Sequence, residues 1–546
     1  MTVQPLSAKA TPSQNVTTKA VFTKNRFAKT ALALLVATAV AGCSVSPSRL
    51  SDNDVMANTV EIQTLLAEDF APVTQAIDLN EAFARTIKHN RDARLKAFEA
   101  VVSQGQLAVD QFDMLPELAA RAGYTYRNNY AASASVSFSG DEPAALGNNP
   151  SYSVSSDKCT VNASIGATWD VLDFGLSYFR AKQQADRFLI SKERERKVVH
   201  TIMQQARNAY SRAVSAERLL NKINPLIIQS RSALADSTRI EQMRAQSPMD
   251  ALNYQRALLE SLRTLQDLRK DLMPAKAELA TLMGLNPAEP FELADVSTPN
   301  FQVPEFNLDI SAMERTALVR RPELIEAQYQ ERITKEEISS SFLTLFPNLS
   351  LNAGVYYDGS DYLRNNDWAS AGLGVNWNLM NVFRYGKIDQ LNKLKVAATK
   401  QQALAVSMAV ISQVHIANIE YAEAQDTYDL STRYLEVANR IQEQVQSSRA
   451  AQNVGELTVI SEELNALLAE LRRDLAYADL QNTFGKILVS MGLDPLPNGF
   501  GGMNLEELSS AFDIMFERWS QGDVDVVSEE QMQAAYLSVK AMREEG

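Results

Sequence analysis

The sequence predicts a mainly α-helical fold with a small set of membrane-type β-strands, the whole arranged as an internal duplication. Three observations carry this. Four segments of about ten residues alternate apolar and polar side chains. Between them run long stretches whose apolar residues recur in steps of three and four. Landmarks of the first half return in the second at fixed offsets.

The N-terminal segment reads as an address. Lys24, Arg26 and Lys29 precede the apolar run ALALLVATAVAG, which ends at Cys43. A basic flank before a run too short to span a bilayer comfortably makes a secretory signal over residues 1–42. Val40-Ala41-Gly42-Cys43 resembles the bacterial lipoprotein signal, which implies cleavage before Cys43 and acylation of that cysteine; Ser44 in the next position implies delivery to the outer membrane. Residues 43–74 then form a linker. With Cys43 acylated, Cys159 has no partner within the chain, and no disulfide is expected.

Two copies of one unit follow, over residues 75–300 and 301–500. MLPELAARAGYTY (114–126) returns as LFPNLSLNAGVYY (345–357), with Pro116 and Pro347, Gly123 and Gly354, and Tyr126 and Tyr357 each 231 positions apart. MGLNP (283–287) returns as MGLDP (491–495) at an offset of 208, as does Trp169 in Trp377. The 23 residues of difference fall in ASASVSFSGDEPAALGNNPSYSVSSDKC, whose Ser, Gly, Asn and Pro content marks an exposed loop that also holds Cys159. Each copy reads helix, strand, loop, strand, long helix, short turn, helix, with Asp78 and Asp309 as helix-starting residues. A repeat of this length is too long for a solenoid.

The strands start at Pro116 and Pro347. Leu349, Leu351, Ala353, Val355 and Tyr357 alternate with Ser350, Asn352, Gly354 and Tyr356, and the other three segments behave alike. Apolar on one face, polar on the other, with aromatics toward the ends, is the pattern of a transmembrane strand, although a half-buried soluble sheet alternates in the same way. Four strands cannot close a membrane barrel, so either the sheet is soluble or several chains pool their strands.

From Leu176 to Met243 almost nothing interrupts a helical pattern, a rod on the order of 100 Å at about 1.5 Å per residue. Its seam runs Val199, Ile202, Ala206, Ala209, Ala213, Ala216, Leu220 and Ile223, with Gln205, Arg212 and Glu217 expected to face water. Val410, Val414, Ala417, Tyr421, Ala424 and Tyr428 repeat it. Pro225 lies inside the first rod and predicts a kink or a break. Residues 501–546 read as a helical, acidic tail with little apolar periodicity, either packed against the helices midway along the chain's rods or a mobile end.

Net charge −13 leaves no basic face for phosphates, which argues against nucleic acid as a partner. His89, His200 and His415 are dispersed without metal-ligand spacing, and no phosphate loop, GxSxG or HExxH motif occurs. Neither an enzyme nor a metal or cofactor site is expected.

The ordered features resemble the TolC-like outer-membrane efflux proteins: the lipobox at Cys43, the duplicated proline-led strands, the strand exits WDVLDFG and WNLMNVFRYG, and the turns AQSPMD and NVGELT. The resemblance covers residues 75 to 497. It implies a homotrimer in which three chains supply a twelve-stranded barrel in outer-membrane lipid, continued by an α-helical barrel across the periplasm and girdled by a belt of short helices. It further implies that helix-turn-helix tips meet a periplasmic adaptor (membrane fusion) protein coupled to an inner-membrane transporter that supplies the energy. The matching tips are Ala245, Gln246, Ser247 and Pro248 in the first copy, and Asn453, Val454, Gly455, Glu456, Leu457 and Thr458 in the second, where Gly455 suits a tight reversal. The periplasmic aperture maps onto Ser461 and Leu464, with Glu462 and Glu463 beside them. Small-molecule efflux ranks before type I secretion. The competing reading is a non-conducting, periplasm-spanning coiled-coil lipoprotein, which accounts for the lipobox and the rods but not for the strands.

Overall fold

The computed structural model describes residues 47–544, except 71, 74, 244–247, 295–300, 305, 307, 452–453, 495 and 497–501. The signal over residues 1–42 and Cys43 lie outside the described residues. Two units separate after Asp69. In the first, helix α1 (Asp52–Asp69) is exposed along its described side chains. It opens on a reciprocal cap: the Asp54 N–H donates to Ser51 Oγ and the Ser51 N–H to Asp54 Oδ2, each at 3.2 Å.

The second unit holds both copies. The first runs α2 (Leu79–His89), α3 (Arg91–Phe112), β1 (Glu117–Tyr126), β2 (Cys159–Asp170), α4 (Val171–Gln242), α5 (Pro248–Leu272) and α6 (Ala275–Leu282). The second runs α7 (Ile310–Arg320), α8 (Pro322–Leu343), β3 (Asn348–Asp358), β4 (Asp367–Asn376), α9 (Asn381–Ala450) and α10 (Glu456–Ser490). Then come α11 (Leu505–Ser520) and α12 (Glu529–Glu544). Asp78 and Asp309 cap α2 and α7, accepting from the N–H groups of Glu81 at 2.7 Å and Ala312 at 3.3 Å.

The four long strands form one antiparallel sheet in the order β1-β2-β3-β4. Glu117 pairs with Thr168 and Tyr126 with Cys159 in the first copy. Shifted by 231 and 208, these become the observed pairs Asn348 with Asn376 and Tyr357 with Asp367. Between the copies, β2 pairs with β3, with Gly166 opposite Gly354. There an added Cβ on Gly354 would sit 2.9 Å from the Ile165 carbonyl, so the two backbones approach as only glycine allows. Pro116 and Pro347 directly precede β1 and β3, where the missing N–H ends the helical turn without weakening the ladder. Cys159 is not in the loop but begins β2, exposed and as a free thiol. The inserted loop carries two short ladders of its own, Ala132–Ser133 with Ser153–Val154 and Phe138–Ser139 with Glu142–Pro143.

Helices α4 and α9 are 72 and 70 residues long. Val199, Ile202, Ala206, Ala213 and Ile223 on α4, and Val410, Val414, Ala417 and Tyr421 on α9, are buried, as their spacing predicts. Three expectations change. The first rod is unbroken at Pro225, because one lost backbone bond is outweighed where Ile223, Leu226 and Ile227 are all buried around it. Pro274 divides α5 from α6 instead, where the second copy has the continuous α10. Glu217 is half-buried rather than facing water, paired with Lys276 at 2.8 Å, whereas Gln205 is exposed and the Arg212 side chain stays exposed beside Glu278 at 3.2 Å. Finally, α11 does carry an apolar stripe: Leu508 and Phe512 are fully buried in a cluster with Phe83, Ile87, Val199 and Met203.

Candidate functional site

Each strand presents one apolar and one polar face. On the apolar face Leu118, Tyr124, Tyr126, Val161, Ile165, Val355, Tyr357, Leu373 and Val375 are all exposed, in a chain whose helices bury their seams. An apolar surface four strands wide exceeds what a water-soluble monomer leaves uncovered. The polar face carries Arg121, Asn162, Ser164, Ser350, Asn352 and Ser370. Asn162 lies over Gly123 and Asn352 over Gly372, where an added Cβ would collide with the amide. Simple alternation did not single out Tyr356 and Trp368, which stack on this polar face with ring centroids 5.7 Å apart.

The tips are placed in part. Ala245, Gln246, Ser247 and Asn453 lie outside the described residues; Pro248 begins α5. Val454 and Leu457 are half-buried, Leu457 against the core of the first copy, while Glu456 and Thr458 are exposed. Gly455 is the N-cap of α10 at φ −75°, ψ 158° with open space around it, an extended conformation any residue adopts, so the reversal does not require glycine. Ser461, Glu462 and Glu463 are half-buried on α10 beside the buried Ile460 and Leu464. Glu462 accepts from Asn465 Nδ2 at 3.4 Å, and Glu463 lines a groove with Lys222, Pro225 and Glu470.

Below that groove α4 is pinned to α10 by an ion network. Lys222 lies 2.6 Å from Glu470 and Arg218 3.4 Å from it. Arg218 also binds the buried carboxylate of Asp474, which Arg473 reaches at 2.8 Å. Arg473 and Arg218 both stand over Phe301, at 3.9 and 5.5 Å from its ring centre. Burial lowers both guanidinium groups from their ordinary values. Nothing in the local sequence of either helix advertises the link between them, since Arg218 and Asp474, like Lys222 and Glu470, are more than two hundred residues apart.

The short helices pack around the repeated MGL motif. Gly284 and Gly492 take the left-handed conformation at φ +66° and +71°. In both copies the helix ends in the same six-to-one and five-to-two pair of bonds: Leu285 N–H to Ala280 O (2.8 Å) with Gly284 N–H to Thr281 O (3.2 Å), and Leu493 N–H to Leu488 O (3.1 Å) with Gly492 N–H to Val489 O (2.9 Å). Each glycine abuts the junction between two short helices, so that a Cβ would meet His89 Cβ at 2.6 Å or the Arg320 carbonyl carbon at 2.7 Å. Across that junction Asn90 and Arg321 are the N-caps of α3 and α8, and Arg321 also reaches the Val489 carbonyl at 3.1 Å. Nearby, Arg207 is buried between Phe83 and Phe516, 5.2 and 4.8 Å from their ring centres, and burial pushes its pKa down to about 10. Among the described residues no cluster of His, Cys, Asp and Glu is arranged to hold a metal ion.

No family model matches the chain. Among curated proteins the chain is similar to the probable outer membrane lipoprotein SilC of Salmonella typhimurium, 22% identical over 350 residues that make up 60% of this chain and 66% of that one, just under two thirds of the relative's length. Among solved structures, the CmeC outer membrane channel of Campylobacter jejuni superposes with a TM-score of 0.57 at 15% identity, over 80% of this chain and 90% of its own. The open-state MtrE outer membrane channel of Neisseria gonorrhoeae gives 0.55 at 16% identity, over 75% and 89%. The duplicated helical hairpins and the four-stranded sheet are therefore those of the TolC-like outer-membrane channel fold.

Proposed function

We propose that this chain is the outer-membrane channel of a tripartite efflux system, working as a homotrimer whose strands pool into one barrel and whose long helices continue the duct into the periplasm. The observation that carries the reading is the sheet: one face largely apolar and exposed, the other polar, and both outer edges without a partner strand among the described residues. In hydrocarbon every backbone N–H and C=O must be paired, so a sheet with such a face needs further strands at both edges. In this reading the signal over 1–42 is removed, Cys43 is acylated and holds the chain to outer-membrane lipid. The tips at 245–248 and 453–458 meet the adaptor, and an inner-membrane transporter supplies the energy. The chain conducts passively and has no catalysis of its own. A wide polar lumen reads size and charge, leaving chemical choice to the pump.

A coiled-coil spacer would account for the rods but would have no use for an exposed apolar sheet. The two readings separate on a gel and in a bilayer. The mature protein is expected to run as an oligomer that collapses to monomer only on heating, and to give discrete conductance steps in planar bilayers. A heat-insensitive monomer that never conducts would establish the spacer instead.

A further inference from the structure

The polar face of the sheet carries one arrangement that the duplication does not repeat. Read across the ladder, Arg121 pairs with Ser164, Ser164 with Tyr356 and Tyr356 with Trp368, so one residue from each strand joins a single row. Directly opposed residues point to the same side of a sheet, so all four lie on the face that the channel reading turns to the lumen. Shifted by the repeat offsets, Arg121 becomes Asn352, while Tyr356 and Trp368 become the paired Thr125 and Thr160. The strands form in either copy without a cation or an aromatic pair at these places, so strand formation does not account for them.

Arg121 is the only Lys or Arg in the four strands, is exposed, and makes no hydrogen bond or ion pair with the described residues. The carboxylates of the same face are engaged or remote: Asp358 accepts from the Ser360 N–H at 3.0 Å, and Glu117 lies at the start of β1, about 13 Å back at 3.3 Å per residue. Tyr356 and Trp368 are parallel to within 12°, their ring centres 5.7 Å apart, and Trp368 is 45% exposed. The Tyr356 hydroxyl leans back along the strand, 3.1 Å from where a Cβ on Gly354 would stand. Between cation and rings only Ser164 intervenes, on a strand spacing that sets Arg121 and Tyr356 about 10 Å apart.

We propose that this row is a transit subsite for flat aromatic anions, whose acidic group meets Arg121 and whose ring lies against Tyr356 and Trp368. A guanidinium offers a carboxylate two parallel N–H donors, and an aromatic ring packs on Tyr or Trp in an offset stack. Ser164 and the small residues of the adjoining row, Ala119, Gly166, Gly354 and Ser370, leave room over the sheet for a planar solute to span from one to the other. The inference rests on the channel reading and adds a solute class to it. A lumen that reads only size and charge treats an aromatic anion and its saturated analogue alike, and this row does not.

Block of single-channel current by defined solutes tests it, with the full-length protein in planar bilayers. The probe 2-naphthoate is compared with decahydro-2-naphthoate, which keeps the charge without a π face, and with 2-naphthylmethylammonium, which keeps the ring and reverses the charge. Each is added to both chambers, so that it reaches the strands without passing Glu462 and Glu463. In the parent protein 2-naphthoate is expected to block at a concentration at least tenfold below either comparator. The variants borrow the other copy's residues, which the same strands already accommodate: Arg121→Asn is expected to remove the preference over the cation, and Tyr356→Thr with Trp368→Thr the preference over the saturated anion. Equal block by the three probes in the parent overturns the subsite and leaves the channel standing, as does a naphthoate preference that the variants retain. If the parent gives no discrete conductance at all, the channel reading fails and the subsite with it.

Discussion

Gly284 and Gly492 are the residues on which the two copies turn, and their substitution separates conformational need from mere turn composition. A left-handed backbone is unfavourable for any L side chain by about 1–2 kcal/mol. Here a Cβ also meets backbone at under 3 Å in both copies. Gly492→Ala is expected to lower the unfolding free energy by at least that amount, whereas Gly455→Ser, at an ordinary N-cap conformation, should stay within about 0.5 kcal/mol, both read by denaturant unfolding. Asp474 is the second such residue. Removing its carboxylate leaves Arg218 and Arg473 crowded and half-compensated, so Asp474→Ala should cost roughly 3–5 kcal/mol, and an Asp474→Ala protein as stable as its parent would contradict the network's role. Two carboxyls beside the short helices set a pH dependence. Burial pushes Glu323 and Asp494 up, but Arg321 and Lys197 around the first, and His200 with Arg196 around the second, more than offset it and hold both below the ordinary carboxylate range. Their folded values are depressed, so the stabilisation is complete above the unfolded carboxylate value of about 4 and fades as pH falls through the lower folded values. Thermal melts between pH 7 and pH 3 should show that loss, reduced in Glu323→Gln.

At the scale of elements, the long helices are amphipathic twice over. The buried seam of α9 was legible from its steps of three and four. A second stripe was not: Met408, Ile419, Leu430 and Ile441 are spaced eleven residues apart, three helical turns, so they align on one line, and all are exposed, Leu430 at 70%. Read against one partner, such residues look like scattered surface; they form a stripe only when a second chain is considered. Ile419→Asp and Leu430→Asp are expected to abolish the heat-sensitive oligomer while leaving the helical content of the monomer intact, checked by gel and circular dichroism. The apolar stripe of helix α11 was missed for a related reason: Leu508 and Phe512 are too few to make a periodic signal in a short acidic tail, and their meaning comes from Phe83 and Met203, residues of the first copy. The strands were read correctly because period-two alternation is local, and Pro116 and Pro347 mark their starts. The pairing of α4 with α10 through Arg218 and Asp474 has no local signal at all.

Across the whole molecule, the duplication is what the sequence displays most plainly, and it governs the fold down to hydrogen-bond register. The offsets found between MLPEL and LFPNL, and between MGLNP and MGLDP, reappear in the strand pairs and in the helix boundaries of α2 with α7 and α3 with α8. Glu462 and Glu463, which the resemblance sets beside the aperture, sit half-buried on α10, Glu463 against the groove at Lys222. The central claim is that this chain conducts, and single-channel recording of the full-length protein in planar bilayers tests it most directly. Discrete steps from a heat-sensitive oligomer, with cation preference reduced in Glu462→Gln and Glu463→Gln, are the predicted result; an oligomer that inserts into the bilayer and passes no current, with or without those substitutions, would contradict it.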